Sequence, residues 1–205
     1  MKTAVVTGSQ SGIGLAIRRN LEAGGWRVLG VDLPGKGAEV EGDLATSAGR
    51  ASAAAAILSA CGGRLDAVAA NAGVDLPRPE LVFGLNFHGV VDLLERLRPA
   101  LVAAGQARVA VNVSNSIFVT SGVPLKPVDA LLRGATDEAV RLLEATPQLA
   151  YVVSKLATAR WIRRVASTAP WAGSGISLNG VCPGAVKTPL LEHDLADPVK
   201  GPFIE

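Results

Sequence analysis

The run TAVVTGSQSGIGLAIRRNLEA, residues 3 to 23, limits what this chain can fold into more than any other stretch. Five β-prone residues, Thr3 to Thr7, meet Gly8. After three polar residues, Gly12, Ile13 and Gly14 open a segment in which Ile13, Ala16, Ile17 and Leu21 recur on one helical stripe, and Gly24 and Gly25 close it. A strand that turns on glycine into a helix aims the helix's unpaired N–H groups and its positive dipole end at one point, where a diphosphate can sit. The glycines then have separate tasks: Gly8 permits the tight turn, Gly12 lets the backbone approach the phosphates, and Gly14 lets the helix pack on the strand. A plain glycine turn would use the same residues, so the motif gains weight from its surroundings.

Those surroundings repeat the alternation. Strand patterns fall at 26–32, near 38–43, at 65–73, 109–114 and 176–182; helical patterns fall near 46–60, about 85–104 and 149–168. Strands apolar on both faces and spaced by helices predict a doubly wound parallel sheet of the α/β class, a Rossmann fold. Only LPGKG separates the strand ending at Asp32 from the one near 38, too few residues for a crossover helix, so a turn is expected there. A length of 205 residues suits one domain, 1–205, with a full core. With 49% apolar and 19% charged residues the composition is that of a packed globule, and no apolar run reaches the roughly 18 residues a spanning helix needs. No leader pattern precedes the first strand, so a cytoplasmic protein is expected. Cys61 and Cys182 match no metal or redox spacing, which predicts two thiols in a reducing cytosol and no metal site. The 20 basic and 18 acidic residues are interspersed, giving a net charge of +2 and no nucleic-acid or membrane footprint.

Asp32 ends the second strand 18 residues after Gly14, close to the offset of about 20 at which a carboxylate accepts hydrogen bonds from an adenosine ribose diol. It would repel a 2′-phosphate. Neither Ser9, Gln10, Ser11 nor the residue after Asp32 is basic, so the sequence favours NAD(H) over NADP(H), with Lys36 the nearest exception.

The spacing Thr7-Gly8-x-x-x-Gly12-Ile13-Gly14 resembles the glycine signature T-G-x-x-x-G-I-G of the short-chain dehydrogenase/reductase family, single-domain branch. Further motifs follow in family order. Asp43-Leu44 resembles the pair that contacts the adenine ring, and Asn71-Ala72-Gly73 the N-A-G element beside the cofactor. Asn86 falls where the family keeps a catalytic asparagine. Pro183-Gly184-Ala185-Val186-Lys187-Thr188 matches P-G-x-x-x-T, whose threonine hydroxyl and nearby backbone hold the nicotinamide carboxamide. In "YVVSK", Tyr151 and Lys155 share a helix face one turn apart. A free phenol with a pKa of about 10 is a poor base, but a neighbouring ammonium and the positive nicotinamide stabilise the phenolate. Taken alone the pair would fit the surface of an amphipathic helix; beside the glycine motif it reads as catalytic.

A hydroxyl at the end of the fifth strand should hold the substrate oxygen. The family shows adjacent serines there, whereas this chain offers Ser114-Asn115-Ser116. Ser114 is preferred, Ser116 is the fallback, and counting from Asn112 would put Asn115 in the slot. The resemblance gives Tyr151 the proton exchange, Lys155 the nicotinamide ribose and the tuning of Tyr151, and Asn86 the steadying of a relay water.

The 36 residues between Ser114 and Tyr151 exceed the family's usual spacing. An inserted segment at about 117–148, with Pro124, Pro127 and a helix at 137–145, is expected to shape access or make a subunit contact. This insert and the missing crossover helix resemble the bacterial 3α-hydroxysteroid dehydrogenase/carbonyl reductase group, which implies hydroxysteroid, cyclic-alcohol or other carbonyl substrates. His88 reads as a helix-surface residue, His193 as a loop residue, and Trp161 as core or interface packing. By resemblance the helices at 85–104 and 149–168 contact a second subunit in a homodimer or homotetramer. Relatives continue past Thr188 through a substrate-covering segment to a further strand, which this sequence is expected to lack. The resemblance implies an NAD(H)-dependent dehydrogenase or reductase; the alternative is a dinucleotide-binding sensor or scaffold without turnover.

Overall fold

All five residues of β1, Thr3–Thr7, are buried, because apolar side chains on both faces make this a central strand flanked on both sides. The computed structural model describes residues 1–188. After β1 come α1 (Gly12–Ala23), β2 (Arg27–Asp32), β3 (Val40–Glu41), α2 (Ser47–Ala60) and β4 (Ala67–Ala70). Then follow α3 (Pro79–Val82), a π-helical turn (Phe83–His88), α4 (Gly89–Ala104) and β5 (Ala107–Asn112). Between β5 and α8 (Ala150–Val165) lie α5 (Ser116–Val119), α6 (Leu125–Leu132) and α7 (Thr136–Arg141), and β6 (Ile176–Val181) follows α8. The sheet runs β3-β2-β1-β4-β5-β6 with every pairing parallel, as the doubly wound class requires. Chain order reverses between β1 and β4, so the crevice at their carboxyl ends is where such a sheet binds ligands.

The expected turn between β2 and β3 is present, and Glu39 makes up for the missing helix. Its carboxylate accepts from Gly30 N–H at 2.8 Å, filling a ladder position that the two-residue β3 does not reach, and pairs with Arg18 of α1 at 3.0 Å.

Several elements differ from the sequence reading. The helix expected over 85–104 begins earlier and carries the π-helical turn, where Gly84 packs so tightly on the loop after β3 that a Cβ there would lie 2.5 Å from the Ala45 carbonyl oxygen. One extra residue per turn leaves the apolar stripe Phe87, Val90, Leu94, Leu97 buried, so periodicity does not betray it. β5 pairs two residues earlier than 109–114, ending at Asn112 opposite Val181, which leaves Ser114 beyond the strand. Between β5 and α8, the helix expected at 137–145 stops at Arg141, and α6 is additional to the sequence reading; it buries Val128, Ala130 and Leu131 against α8 and adds an Arg160–Asp129 ion pair at 3.2 Å. Helix α6 thus packs on α8, one of the two helices expected to contact a second subunit. His88 is not a plain surface residue either: it is half-buried and its Nε2 lies 2.8 Å from Thr136 Oγ1, tying the insert to the π-helical turn. Trp161 packs edge-on against buried Trp171 at 5.7 Å.

Arg50 of α2 anchors the loop between β3 and α2. Almost fully buried, it donates from Nη1 to the Leu44 and Ala45 carbonyls at 3.1 and 3.0 Å and from Nε to Asp92 at 2.9 Å. Arg50→Ala leaves those acceptors without their donor and is expected to lower unfolding free energy by about 2–4 kcal/mol. Arg50→Lys should recover little, because one ammonium cannot reproduce the planar fork. Urea unfolding of the three proteins checks both statements.

Candidate active site

The carboxyl ends of β1, β4 and β5 lie side by side, and the segment after β6 closes a cleft of about 320 Å³ above them. Gly8 and Gly12 line it with φ of +65° and +50°, backbone that side chains disfavour, and Ile13 lies beside them. Gly14 does not line the cleft. It is buried against β1, where a Cβ would sit 2.0 Å from the Gly8 carbonyl oxygen. At the N-cap of α1, the Ser11 side chain makes no capping bond, so the first-turn amides are left to face the cleft. Small residues, uncapped N–H groups and the dipole end of a twelve-residue helix fit the diphosphate of a dinucleotide.

Asp32 is outside the cleft lining and braces the glycine turn, accepting from Gln10 N–H at 2.9 Å with Oδ2 and from Leu33 N–H at 2.9 Å with Oδ1. Each oxygen keeps room for a further donor. Asp43 and Leu44 do not line the cleft. Asp43 Oδ1 accepts from Ala45 N–H at 3.0 Å, and Leu44 belongs to the core because its loop is pulled inward by Arg50.

Asn71, Ala72 and Gly73 line the cleft from the end of β4. The Thr7 hydroxyl accepts from both Asn71 N–H and Ala72 N–H at 2.9 Å, and Asn71 Nδ2 donates to the Thr7 carbonyl at 3.3 Å. Asn86 is fully buried and outside the cleft. Its amide bonds both backbone groups of Val74 at 2.9 Å and donates to Ser154 Oγ at 3.2 Å, while its carbonyl accepts from Thr158. The π-helical turn directs Asn86 inward, where it braces the loop after β4 against α8.

Ser114 lines the cleft, and its Oγ accepts from Ser116 N–H at 3.1 Å, which leaves the hydroxyl proton free to point at an oxygen in the cleft. Ser116 Oγ is buried without a partner and outside the lining, so of the two serines only Ser114 presents a hydroxyl there; Asn115 also borders the cleft. Tyr151 and Lys155 enter from α8, with Lys155 Nζ 5.6 Å from the phenol ring centre. Lys155 donates to the Asn112 carbonyl at 2.7 Å. Val186 and Thr188 complete the lining, the Thr188 methyl lying 3.3 Å from where a Gly12 Cβ would be. Sequence reasoning gave no role to Asn112; the available signal was its position as a polar residue at the carboxyl end of a buried parallel strand.

Burial pushes the Lys155 ammonium down to about 8, partly offset by the electrostatic influence of the nearby Cys182. Below pH 8 both folded and unfolded states carry the proton, and the folded state bears the full penalty of a buried charge. Between pH 8 and 10.5 only the folded state sheds it, and the penalty disappears. Relative to Lys155→Met, which has no titrating group there, the parent is therefore expected to gain about 3 kcal/mol of stability between pH 8 and pH 10.5. Paired urea titrations across that range measure it.

The short chain dehydrogenase family pattern matches residues 2–128. The 3-alpha-hydroxysteroid dehydrogenase/carbonyl reductase of Comamonas testosteroni is 33% identical over 211 residues, an alignment covering all of this chain and 80% of that protein. The D-beta-hydroxybutyrate dehydrogenase of Rhizobium meliloti (strain 1021) is 30% identical, covering 96% of this chain and 76% of its own length. Among solved structures, the 3-alpha-hydroxysteroid dehydrogenase from Pseudomonas sp. B-0831, complexed with NADH, superposes with a TM-score of 0.91 at 38% identity, covering 100% of this chain and 80% of that one.

Proposed function

The chain belongs to the short-chain dehydrogenase/reductase family of oxidoreductases, and on that footing we propose that it interconverts a secondary alcohol and a ketone with NAD(H). One observation carries this reading: Ser114, Tyr151 and Lys155 line the same cleft as Gly8 and Gly12 at the amino end of α1. The relatives that act on hydroxysteroids and carbonyls support a hydroxysteroid, cyclic alcohol or similar carbonyl compound as substrate. Asp32, an acceptor at the end of β2 beside the glycine turn, supports NAD(H) over NADP(H).

When bound, the oxidised nicotinamide supplies the acceptor for the hydride that leaves the alcohol carbon. The chain's own residues handle the proton and the oxygen. Ser114 donates its hydroxyl hydrogen to the substrate oxygen and holds it against Tyr151. The Tyr151 phenolate takes the hydroxyl proton as the carbonyl forms, and in reduction the phenol returns it. Lys155 stabilises the phenolate by its charge and offers its remaining N–H donors to the ribose of the dinucleotide. Gly8, Gly12 and the first turn of α1 bind the diphosphate, and Asn71, Val186 and Thr188 confine the nicotinamide end.

The test is a panel of hydroxysteroids and cyclic secondary alcohols with NAD⁺ and NADP⁺, followed by absorbance of the reduced nicotinamide. Turnover with a higher kcat/KM for NAD⁺ is the expected result. Tight NADH binding without turnover of any alcohol or ketone would instead indicate a sensor, and preference for NADP⁺ would overturn the role given to Asp32.

A further inference from the structure

Asn112 is held at both ends. Its backbone carbonyl accepts from Lys155 Nζ at 2.7 Å, and its side-chain Nδ2 donates to Asn71 Oδ1 at 2.9 Å. Asn71 passes the chain on, because its own Nδ2 donates to the carbonyl of Thr7, the residue directly before Gly8. We propose that Asn112 is a positioning residue for the alcohol–ketone reaction: it registers Lys155, beside Tyr151, against Asn71, beneath the glycine turn. The inference rests on reading the cleft as an NAD(H) site.

The direction of donation matters more than the contacts. With Asn112 donating to Asn71 Oδ1, the Asn71 amide must present its NH₂ group to the Thr7 carbonyl. The reverse orientation would set oxygen against oxygen. That NH₂ group occupies the tightest part of the turn, 2.7 Å from where a Gly14 Cβ would lie and 3.2 Å from a Gly8 Cβ. The orientation of one amide on β5 therefore fixes the packing under the diphosphate site. At the other end, Lys155 is 4% exposed. Around its ammonium lie the Tyr151 ring at 5.6 Å, the Gly73 backbone and, as the other titratable neighbour, Cys182. The Asn112 carbonyl is the acceptor that orients this ammonium at the cleft, which Tyr151 lines and where the ribose would be held.

Two substitutions in the full chain separate positioning from bulk stability. Asn112→Asp keeps the shape but turns an acceptor on Asn71 Oδ1, forcing the Asn71 amide to reverse, and sets a carboxylate near the Lys155 ammonium. Asn112→Ala removes the donor without adding charge. The expected result for Asn112→Ala is NADH affinity weakened about tenfold with a comparable loss in kcat. Asn112→Asp should lose more of both, and its alkaline limb of kcat should move upward in pH, since a carboxylate holds the lysine proton longer. A merely structural residue would lower the melting temperature and leave that limb in place. NADH is titrated by its fluorescence, and kcat is followed with whichever alcohol the parent turns over. Asn112→Ala binding NADH and turning over within twofold of the parent overturns the proposal, as does an Asn112→Asp limb that has not moved. Should the aspartate variant not fold, the alanine variant decides alone. A parent protein that itself neither binds NADH nor oxidises any alcohol would refute the reading of the cleft, a result distinct from indifferent variants of an active parent.

Discussion

Tyr151→Phe is expected to lower kcat by about 10²–10⁴, the range general acid–base groups contribute, while NADH affinity stays within about twofold. The substitution removes the phenol oxygen and keeps the ring. Its ring keeps its place beside Lys155 Nζ, 5.6 Å from the ring centre, and the bond from Ser154 Oγ goes to the Tyr151 backbone carbonyl, which phenylalanine retains. The chain has a single tyrosine, so no second phenol can take over the proton. Ser114→Ala should cost less, because Ser114 orients the oxygen by a hydrogen bond and carries no proton away. Steady-state oxidation of the best alcohol, paired with fluorescence titration of NADH, separates chemistry from binding. A variant retaining more than a tenth of parental kcat would remove the phenol from the proton path.

The cleft was legible in the sequence wherever its chemistry depends on local spacing. The Gly8-Gly12-Gly14 turn, the Tyr151–Lys155 pair and the Asn71–Gly73 element each follow from a few contiguous residues, and Gly8, Gly12, Asn71, Gly73, Tyr151 and Lys155 all border one cleft. The strand and helix order was legible for the same reason, since periods of two and of 3.6 are written residue by residue. What escaped depends on contacts between distant segments. The partners of the Asn86 side chain, Val74 and Ser154, depend on a π-helical turn that arises where Gly84 meets Ala45. Ser114 and Ser116 could not be separated by counting; the Ser116 amide, which donates to Ser114 Oγ, and the burial of Ser116 Oγ separate them. Leu44 sits in the core because Arg50, six residues later, draws the Leu44 carbonyl inward. Helix α6 was hidden by its proline, its short length and its dependence on α8 for burial.

Gly14→Ala should abolish useful dinucleotide binding, and the reason is a backbone contact that cannot yield. A Cβ on Gly14 would lie 2.0 Å from the Gly8 carbonyl oxygen and 2.7 Å from Asn71 Nδ2, well inside any tolerated approach. Gly8 cannot retreat easily, since its N–H is bonded to the Val31 carbonyl at 2.9 Å and its φ of +65° is set by the turn. Helix α1 must therefore lift off the end of β1, carrying its first-turn amides away from the diphosphate. Losing two hydrogen bonds to a charged group weakens NADH binding by about 10²-fold or more, and the overpacking itself lowers stability by about 1–3 kcal/mol. Gly25→Ala provides the contrast. At φ +79° it carries left-handed strain, but nothing lies within 4 Å of its Cβ, so it should cost about 1 kcal/mol and leave NADH affinity unchanged. Melting curves and NADH titrations on the two variants distinguish a glycine needed for conformation from one needed for close approach. If Gly14→Ala bound NADH as tightly as Gly25→Ala, the diphosphate could not rest on the amino end of α1, and the assignment of the cleft would have to be abandoned.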